Sequence, residues 1–308
     1  MLKPAFPRSK FFCKTLAGWG QLAKNRGMKP VGLVALWAAF AAVAAAQQPT
    51  VSSGGVVNSA SFTKSNPPGS LVTIFGTNMA KAGELLKGSS TPLTMQLQSS
   101  GEDVSVTVNG QPAPMFYVTA TQTSVQLPWA TIAGTGSIVV TRNGVKSSPQ
   151  SLQVATFSPG IFTVNQQGTK GAWVINNNDG SVAQPAAGWP FPSIATRPAK
   201  AGDNLYFYIT GLGPVSPSTS MKDGHAPCPL SGCPANVVLP KTTTTPTVLI
   251  GSVAIPAANL QFSGLSPQFV GTYQVNFQMP SGVAASDTTT LEVEIGGVTS
   301  NKVTFATQ

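Results

Sequence analysis

The sequence has few charged residues, and the side chains that most often carry chemistry are scarcer still. Only 9% of the 308 residues are charged, and the chain has 9 Asp and Glu residues, 3 cysteines and 1 histidine. A serine triad needs a histidine held by an acid beside a nucleophile, and a glycosidase needs two positioned carboxylates. The scarcity of these groups argues against an enzyme. The 42% content of hydrophobic residues also excludes intrinsic disorder.

The formal net charge of +9 would by itself suggest a nucleic-acid or membrane partner. Residues 1–46 hold 7 of the 18 basic residues and no acidic one, which leaves 11 basic against 9 acidic residues, a net charge of +2, in the remainder. We expect no nucleic-acid partner, because the basic charge is concentrated in a segment with the features of a signal peptide.

Residues 1–46 have a basic flank, an apolar stretch and a small-residue end, the pattern of a helical secretory signal peptide. The apolar stretch, VGLVALWAAFAAVAAA at residues 31–46, is shorter than the roughly 20 residues of a membrane span. An uncleaved membrane anchor is the alternative. A start at Met28 gives a signal of ordinary length, which favours Met28 over Met1 as the true start. We expect export to the periplasm, cell surface or extracellular space, with membrane contact only through this segment before cleavage.

Export would place Cys228 and Cys233, in CPLSGC, in an oxidising compartment, where a close pair favours a disulfide. A metal site is one alternative, because Asp223 and His225 lie nearby, and free thiols are another. The spacing does not match a C-x-x-C zinc knuckle, and the sequence has no second cluster. We therefore predict a disulfide, no metal or cofactor, and a solvent-exposed loop position for His225.

Beyond residue 46, apolar and polar residues alternate and no helical period is sustained. Short β-rich runs are bounded by Gly, Pro or Asn, which is typical of strands. Asn109-Gly110 and Asn143-Gly144 have the composition of tight turns between paired strands. Evenly spaced short strands predict antiparallel sandwiches. The runs are SLVTIFGT (70–77), VSVTVNG (104–110), SIVVTRNG (137–144), NLYFYIT (204–210), TVLIG (247–251), TYQVNFQMP (272–280) and TTLEVEIG (289–296).

Five blocks occur in the same order in both halves, which predicts an internal duplication. The predicted fold class is all-β, with two tandem immunoglobulin-like β-sandwich domains at residues 51–156 and 172–308. Residues 157–171 join them, and their apolar start, FSPGIF, favours a packed junction over a flexible tether. The matched blocks are VVNSAS with VINNND, PPGSLVTIFGTNMA with KAGDNLYFYITGLGPV, VSVTVNGQPAPMFYV with PTVLIGSVAIPAANLQF, SVQLP with NFQMP, and GSIVVTRNGVKSSPQSLQV with TTLEVEIGGVTSNKVTF.

Three of these stretches, PGSLVTIFGTNMA, VTVNGQPAPMFYVTATQTSVQLP and VVTRNGVKSSP, resemble the IPT/TIG type of immunoglobulin-like domain. Residues 56–307 more closely resemble an uncharacterised C-terminal domain family of exported acidobacterial (Solibacter-type) proteins, through VVNSASF, QLPW, PGIF, ITGLGPVSP, FSGLSPQFVGTYQVNFQMP and IGGVTSNKVT. Ser124 departs from the other half, which has Asn276, and residues 221–241 are particular to this chain. The resemblance implies fold and export but no activity. IPT/TIG relatives occur in surface proteins and receptors, where they mediate binding or spacing.

The candidate ligand contacts are aromatic. Trp189 and Phe191 lie in the Pro-rich stretch PAAGWPFPSIATRPAK, where a ring could be presented to a sugar or a partner surface. Trp129, which follows Pro128, is a third candidate. The alternative for all three is that their rings cover a sandwich core, since aromatic side chains dominate core burial.

The sequence thus predicts a non-catalytic secreted or cell-surface module for adhesion, glycan or partner binding, or structural spacing. Its expected partner is an extracellular protein or polysaccharide that the sequence does not identify. The alternative is a secreted carbohydrate-active hydrolase with an unrecognised site. Glu292 and Glu294 are the best carboxylate pair for such an enzyme, but strand alternation places both on the solvent face of one strand.

Overall fold

A computed structural model of the protein describes residues 48–88, 91–99, 101–218 and 221–308. The predicted signal peptide and the Met28 start lie outside these residues. In the described part the chain is built of β-strands, with a 3₁₀ turn at Ala257–Asn259 and no α-helix. None of the helical structure described there is long and apolar enough to cross a membrane. The all-β prediction is confirmed.

The first sandwich contains strands β1 to β12. One sheet has the order β1-β3-β9-β8-β4, and the other has the order β2-β12-β10-β6-β5, with β11 beside β10 and β7 beside β6. The strands are β1 (Thr50–Asn58), β2 (Ser65–Asn66), β3 (Leu71–Thr77), β4 (Leu86–Lys87), β5 (Gln96–Ser99), β6 (Glu102–Val108), β7 (Gln111–Pro112), β8 (Met115–Val118), β9 (Gln122–Gln126), β10 (Gly134–Arg142), β11 (Val145–Lys146) and β12 (Gln150–Val154).

The second sandwich contains strands β13 to β24. Its larger sheet has the order β13-β15-β21-β20-β17-β16, with β14 beside β15, and its smaller sheet has the order β19-β18-β22-β23, with β24 beside β22. The strands are β13 (Gly160–Ile161), β14 (Val174–Asn176), β15 (Asn204–Thr210), β16 (Val215–Ser216), β17 (Lys241–Thr242), β18 (Thr247–Ile250), β19 (Val253–Ala254), β20 (Leu260–Leu265), β21 (Tyr273–Gln278), β22 (Ser286–Ile295), β23 (Val298–Thr299) and β24 (Val303–Thr307).

Each core follows from the alternation of side chains along the strands. In β6 every second residue is buried, including Val104 and Val106, and these residues pack in one cluster with Val72 and Ile74 of the facing sheet. Burial of each such side chain stabilises the fold by about 1.5–3 kcal/mol. The core of the second sandwich contains larger, aromatic side chains. Those that are fully buried include Phe207, Tyr273, Phe277 and Phe305.

The predicted tight turns are confirmed. Asn109 and Asn143 have φ of 50° and 49°, and Gly110 and Gly144 after them have φ of 81° and 79°. Two successive left-handed residues produce the turn that matches strand twist, and the Asn-Gly pair tolerates both. The turns connect β6 to β7 and β10 to β11.

The two sandwiches also share a strand register. Thr73 of β3 lies opposite Ser124 of β9, and Tyr206 of β15 lies opposite Asn276 of β21. Ser124 and Asn276 are the two positions that the predicted duplication pairs with each other.

The junction between the sandwiches is packed, as its apolar start predicts. Ser158 and Ile161 are buried, and Asn58 of the first sandwich donates from Nδ2 to the carbonyl oxygen of Ser158 at 2.9 Å. The backbone N–H of Leu71 donates to Oγ1 of Thr210 at 3.0 Å. Residues 48–308 accordingly form one compact unit. The boundaries at 51–156, 157–171 and 172–308 stay a prediction; β13 lies within 157–171 and pairs with β15.

Candidate functional site

Cys228 and Cys233 form a disulfide, with the sulfur atoms 2.06 Å apart. The disulfide prediction is confirmed, and the metal alternative loses its two thiolate ligands. No group of three His, Cys, Asp or Glu side chains among the described residues could hold a metal ion. His225 is exposed, as predicted, with Nδ1 2.9 Å from the carbonyl oxygen of Asp223.

The segment that carries these cysteines docks on the first sandwich. The Asp223 carboxylate accepts a hydrogen bond from the backbone N–H of Trp129 at 2.8 Å. The N–H of Gly224 donates to Oε1 of Gln126 at 2.7 Å, and the Gly224 carbonyl oxygen accepts from the N–H of Leu93 at 2.8 Å. Asp223 therefore fixes a contact between the two sandwiches.

Trp129, one of the three predicted ligand contacts, is half-buried between the sandwiches. Its ring covers Gly69, where an added Cβ would lie 2.3 Å from the indole, and it packs against the core of the second sandwich. This placement agrees with the packing alternative for Trp129. Its role as a ligand contact stays a prediction.

Trp189 and Phe191, the other two candidates, come together with a third ring, that of Trp173. We call these three residues the ring cluster. The ring centroids are 5.5 Å apart for Trp173 and Trp189, 5.3 Å for Trp173 and Phe191, and 5.5 Å for Trp189 and Phe191. Phe191 is 37% exposed. Sequence reasoning missed Trp173, although alternation with the buried Ala172 and Val174 would have placed its side chain on the outer face.

Local hydrogen bonds hold the ring cluster in place. Nε1 of Trp189 donates to the carbonyl oxygen of Ile194 at 3.0 Å, and the N–H of Ile194 donates to the carbonyl oxygen of Phe191 at 3.0 Å. The backbone N–H of Trp173 donates to the carbonyl oxygen of Phe162 at 3.4 Å. The indole nitrogen is thus used to shape the loop, and the ring faces are left for packing or for a ligand.

Arg197 anchors the end of this loop through two carboxylates. Its Nε lies 2.7 Å from Asp179, and its Nη1 lies 2.7 Å from Asp203. Hydrogen bonds from Ser181 and Arg197 lower the pKa of Asp179. Burial alone would raise the pKa of Asp203, but the bonds from Arg197 and from the backbone of Lys200 lower it overall. Both carboxylates therefore stay ionised at neutral pH and act as loop anchors.

A pocket of about 540 Å³ lies beside the ring cluster and is lined in part by Trp189 and Phe191. Its wall carries an amide, Asn165, and both signs of charge, Lys170 and Asp287. Gln184 also lines it, but its Nε2 already donates to the carbonyl oxygen of Ala172 at 2.9 Å. The pocket thus combines aromatic faces with hydrogen-bonding groups, the composition of a ligand site.

Two carboxylates outside this loop, those of Glu102 and Glu292, are paired with basic side chains. Glu102 accepts two hydrogen bonds of 2.7 Å from Nε and Nη2 of Arg142, which lower its pKa. Glu292 lies 3.0 Å from Nζ of Lys302. Glu292 and Glu294 point away from the buried Val293, so their predicted solvent-side placement is confirmed.

Residues 56–157 match the model of the IPT/TIG domain. An IPT/TIG domain therefore occupies the first sandwich, as the sequence resemblance predicts. The acidobacterial resemblance stays a prediction. No curated protein matches the chain.

Several solved structures are similar to this chain over part of their length. One is SGBP-B of the Bacteroides ovatus mixed-linkage glucan utilization locus with a mixed-linkage heptasaccharide: 13% identity over 85% of this chain and 46% of that chain, TM-score 0.30. SGBP-B from a Bacteroides uniformis xyloglucan utilization locus shows 14% identity over 84% and 49%, TM-score 0.23. The plexin A4 extracellular region shows 13% over 85% and 18%, TM-score 0.23. This chain spans less than half of each, and likenesses of this size carry no information on function.

Proposed function

We propose that this protein is a non-catalytic extracellular module that binds a polysaccharide through the ring cluster. The observation that carries the proposal is the grouping of Trp173, Trp189 and Phe191, with the exposed ring of Phe191 lining a pocket that also holds amide and charged side chains. A sugar ring has an apolar C–H face that packs on an aromatic face, and hydroxyl groups that pair with amides and charged groups. The site offers both kinds of contact within one pocket.

Extracellular placement rests on two features of the chain. Residues 1–46 have the signal-peptide pattern. The Cys228–Cys233 disulfide is of the kind that persists in oxidising compartments and is rare in the cytosol. The IPT/TIG match also agrees with a surface protein, since relatives of that type mediate binding or spacing.

A non-catalytic role fits the lining of the pocket. Glycoside hydrolysis needs two carboxylates flanking the bond. Asp287 is the only carboxylate among the described residues that line this pocket. Asp179 and Asp203 are engaged by Arg197, so they are not available as an acid–base pair. We therefore do not favour the hydrolase alternative.

Affinity electrophoresis of the full chain through gels containing soluble glucans, mannans, xylans or polygalacturonate tests the proposal. We expect retardation by at least one polysaccharide. The double variant W189A/F191A should weaken that binding about tenfold or more, because it removes two of the three rings. Phe269→Ala removes a ring of similar exposure, 47%, outside the ring cluster and serves as the matched control. Equal retardation of the double variant and the wild type would overturn the proposal.

A further inference from the structure

A second aromatic site lies on the outer face of the first sheet. Five rings there, Phe62, Phe75, Phe116, Tyr117 and Phe162, are all half-buried and border one groove of about 460 Å³. We call it the sheet groove. A concave surface lined by several aromatic rings has the composition of a ligand site.

The floor of the sheet groove is formed by side chains of β3, β8 and β9. All three are interior strands in the order β1-β3-β9-β8-β4, so their backbone groups are paired with neighbours. An extended peptide could not add to this surface as a further strand, since that mode needs a free sheet edge. The floor therefore recognises a ligand through side chains alone.

The walls of the sheet groove are built with strained but well-anchored backbone. Phe62 and Gln166, which both line the groove, have φ of 61° and 56°, a region that residues with a side chain rarely adopt. Asn301 of the second sandwich pins the 161–168 loop, donating from Nδ2 to the carbonyl oxygens of Ile161 and Gly168 at 3.0 and 2.9 Å. Strained backbone conformations that the surrounding structure holds in place are found most often at functional sites, including binding sites.

The polar groups of the sheet groove are uncharged. Among the described residues that line it, the polar side chains are amides and hydroxyls, including those of Gln122, Gln166, Gln167 and Thr73, and none is charged. Nε2 of Gln122 donates to the hydroxyl of Tyr117 at 3.1 Å. Burial raises the pKa of Tyr117, so its hydroxyl stays protonated and can donate in turn.

From this geometry we infer that the sheet groove is a second binding site, specific for an uncharged carbohydrate chain. The rings of Phe62 and Phe75 are stacked, with centroids 6.4 Å apart and planes 23° apart, and extend an apolar floor on which a sugar face can pack. The amides and hydroxyls around it suit sugar hydroxyl groups. An acidic sugar is disfavoured, because the groove offers no cation to its carboxylate.

The sheet groove and the ring cluster share one loop, so their tests must be kept apart. Phe162 and Gln166 line the sheet groove, whereas Asn165 and Lys170 line the pocket beside the ring cluster. This inference does not depend on the ring cluster, and variants in each site serve as controls for the other.

Titration calorimetry of the full chain with hexaoses of glucose, mannose and xylose, and with hexagalacturonate, tests the inference. We expect binding of a neutral hexaose and none of hexagalacturonate. Phe75→Leu keeps apolar volume but removes the ring face, and should weaken binding about tenfold. Gln122→Ala, which leaves the rings in place, should weaken it severalfold, so the test does not depend on one variant that fails to fold.

W189A/F191A should lose the ring-cluster component of neutral-hexaose binding and keep the component that Phe75→Leu removes. Loss of binding in W189A/F191A with unchanged binding in Phe75→Leu and Gln122→Ala would overturn the inference and leave the proposed function intact. Loss of binding in Phe75→Leu and Gln122→Ala with unchanged binding in W189A/F191A would support the sheet groove and count against the ring cluster. Absence of binding to every neutral hexaose, or preference for hexagalacturonate, would also overturn the inference.

Discussion

Asp223 accepts through Oδ1 a 2.8 Å hydrogen bond from the backbone N–H of Trp129, although 94 residues separate the two in the chain. The carboxylate belongs to the segment of residues 221–241, which also carries the Cys228–Cys233 disulfide. The indole of Trp129 packs against the core of the second sandwich. This segment therefore holds the two sandwiches together through the Asp223–Trp129 contact.

We expect Asp223→Ala to lower the free energy of unfolding by about 1–3 kcal/mol, because a partly buried N–H loses a charged acceptor. Amide hydrogen exchange at Trp129 should accelerate in the same variant. Asp223→Asn keeps an acceptor oxygen in place and should recover most of the loss. Equal exchange rates at Trp129 in the wild type and Asp223→Ala would contradict a stabilising Asp223–Trp129 hydrogen bond.

The disulfide should stabilise the same segment modestly. Cys228 and Cys233 are 5 residues apart, and the chain-entropy model gives about 2 kcal/mol for a loop of this length. In urea titrations we expect the free energy of unfolding of C228S/C233S to be lower by about that amount, and reduced wild-type protein to match it. A wild type that is unaffected by reductant while C228S/C233S is destabilised would show that the loss comes from the buried site of Cys228 and not from the cross-link.

Much of the fold could be predicted because its determinants are local. The alternation in VSVTVNG marks which residues of β6 are buried, and the Asn-Gly pairs mark the turns. The repeat also matched Ser124 to Asn276, and these residues occupy equivalent places in their sheets.

The candidate sites were less predictable, because each depends on contacts between distant segments. Trp189 and Phe191 were identified from their Pro-rich loop, but Trp173, 16 residues before Trp189, joins them only through tertiary packing. Alternation places Phe75 on the outer face of β3. It does not show that Asn301, 226 residues later, holds a loop beside that ring.

The Glu102–Arg142 pair should make stability depend on pH. The two 2.7 Å bonds from Arg142 hold the pKa of Glu102 below its ordinary value of 4.5. A lowered pKa in the folded state contributes stability that is fully present above 4.5 and is lost as pH falls through the folded value. Glu102→Gln should therefore cost about 1–3 kcal/mol at pH 7 and less at pH 3, in urea titrations at the two pH values.

Glu294→Gln is the control for that experiment, because Glu294 is an exposed carboxylate on β22. Its substitution should change the free energy of unfolding by less than about 0.5 kcal/mol at pH 7. A cost of Glu102→Gln that is the same at pH 7 and pH 3 would contradict an ionised, paired Glu102.

Substitution of Gly211 tests how closely the junction between the sandwiches is packed. Its φ is 81°, and a Cβ built on it would lie 2.0 Å from the carbonyl oxygen of Ser158, the atom that also accepts from Asn58. Gly282 has almost the same φ, 83°, with nothing within 4 Å of its Cβ position. Gly282→Ala should cost only the left-handed strain, about 1–2 kcal/mol. Gly211→Ala adds a steric clash with backbone, so we expect it to cost at least about 1–3 kcal/mol more. Urea unfolding of the two variants compares them directly. Equal losses of unfolding free energy would contradict close packing at the junction, because the added methyl group would then be accommodated without further loss of stability.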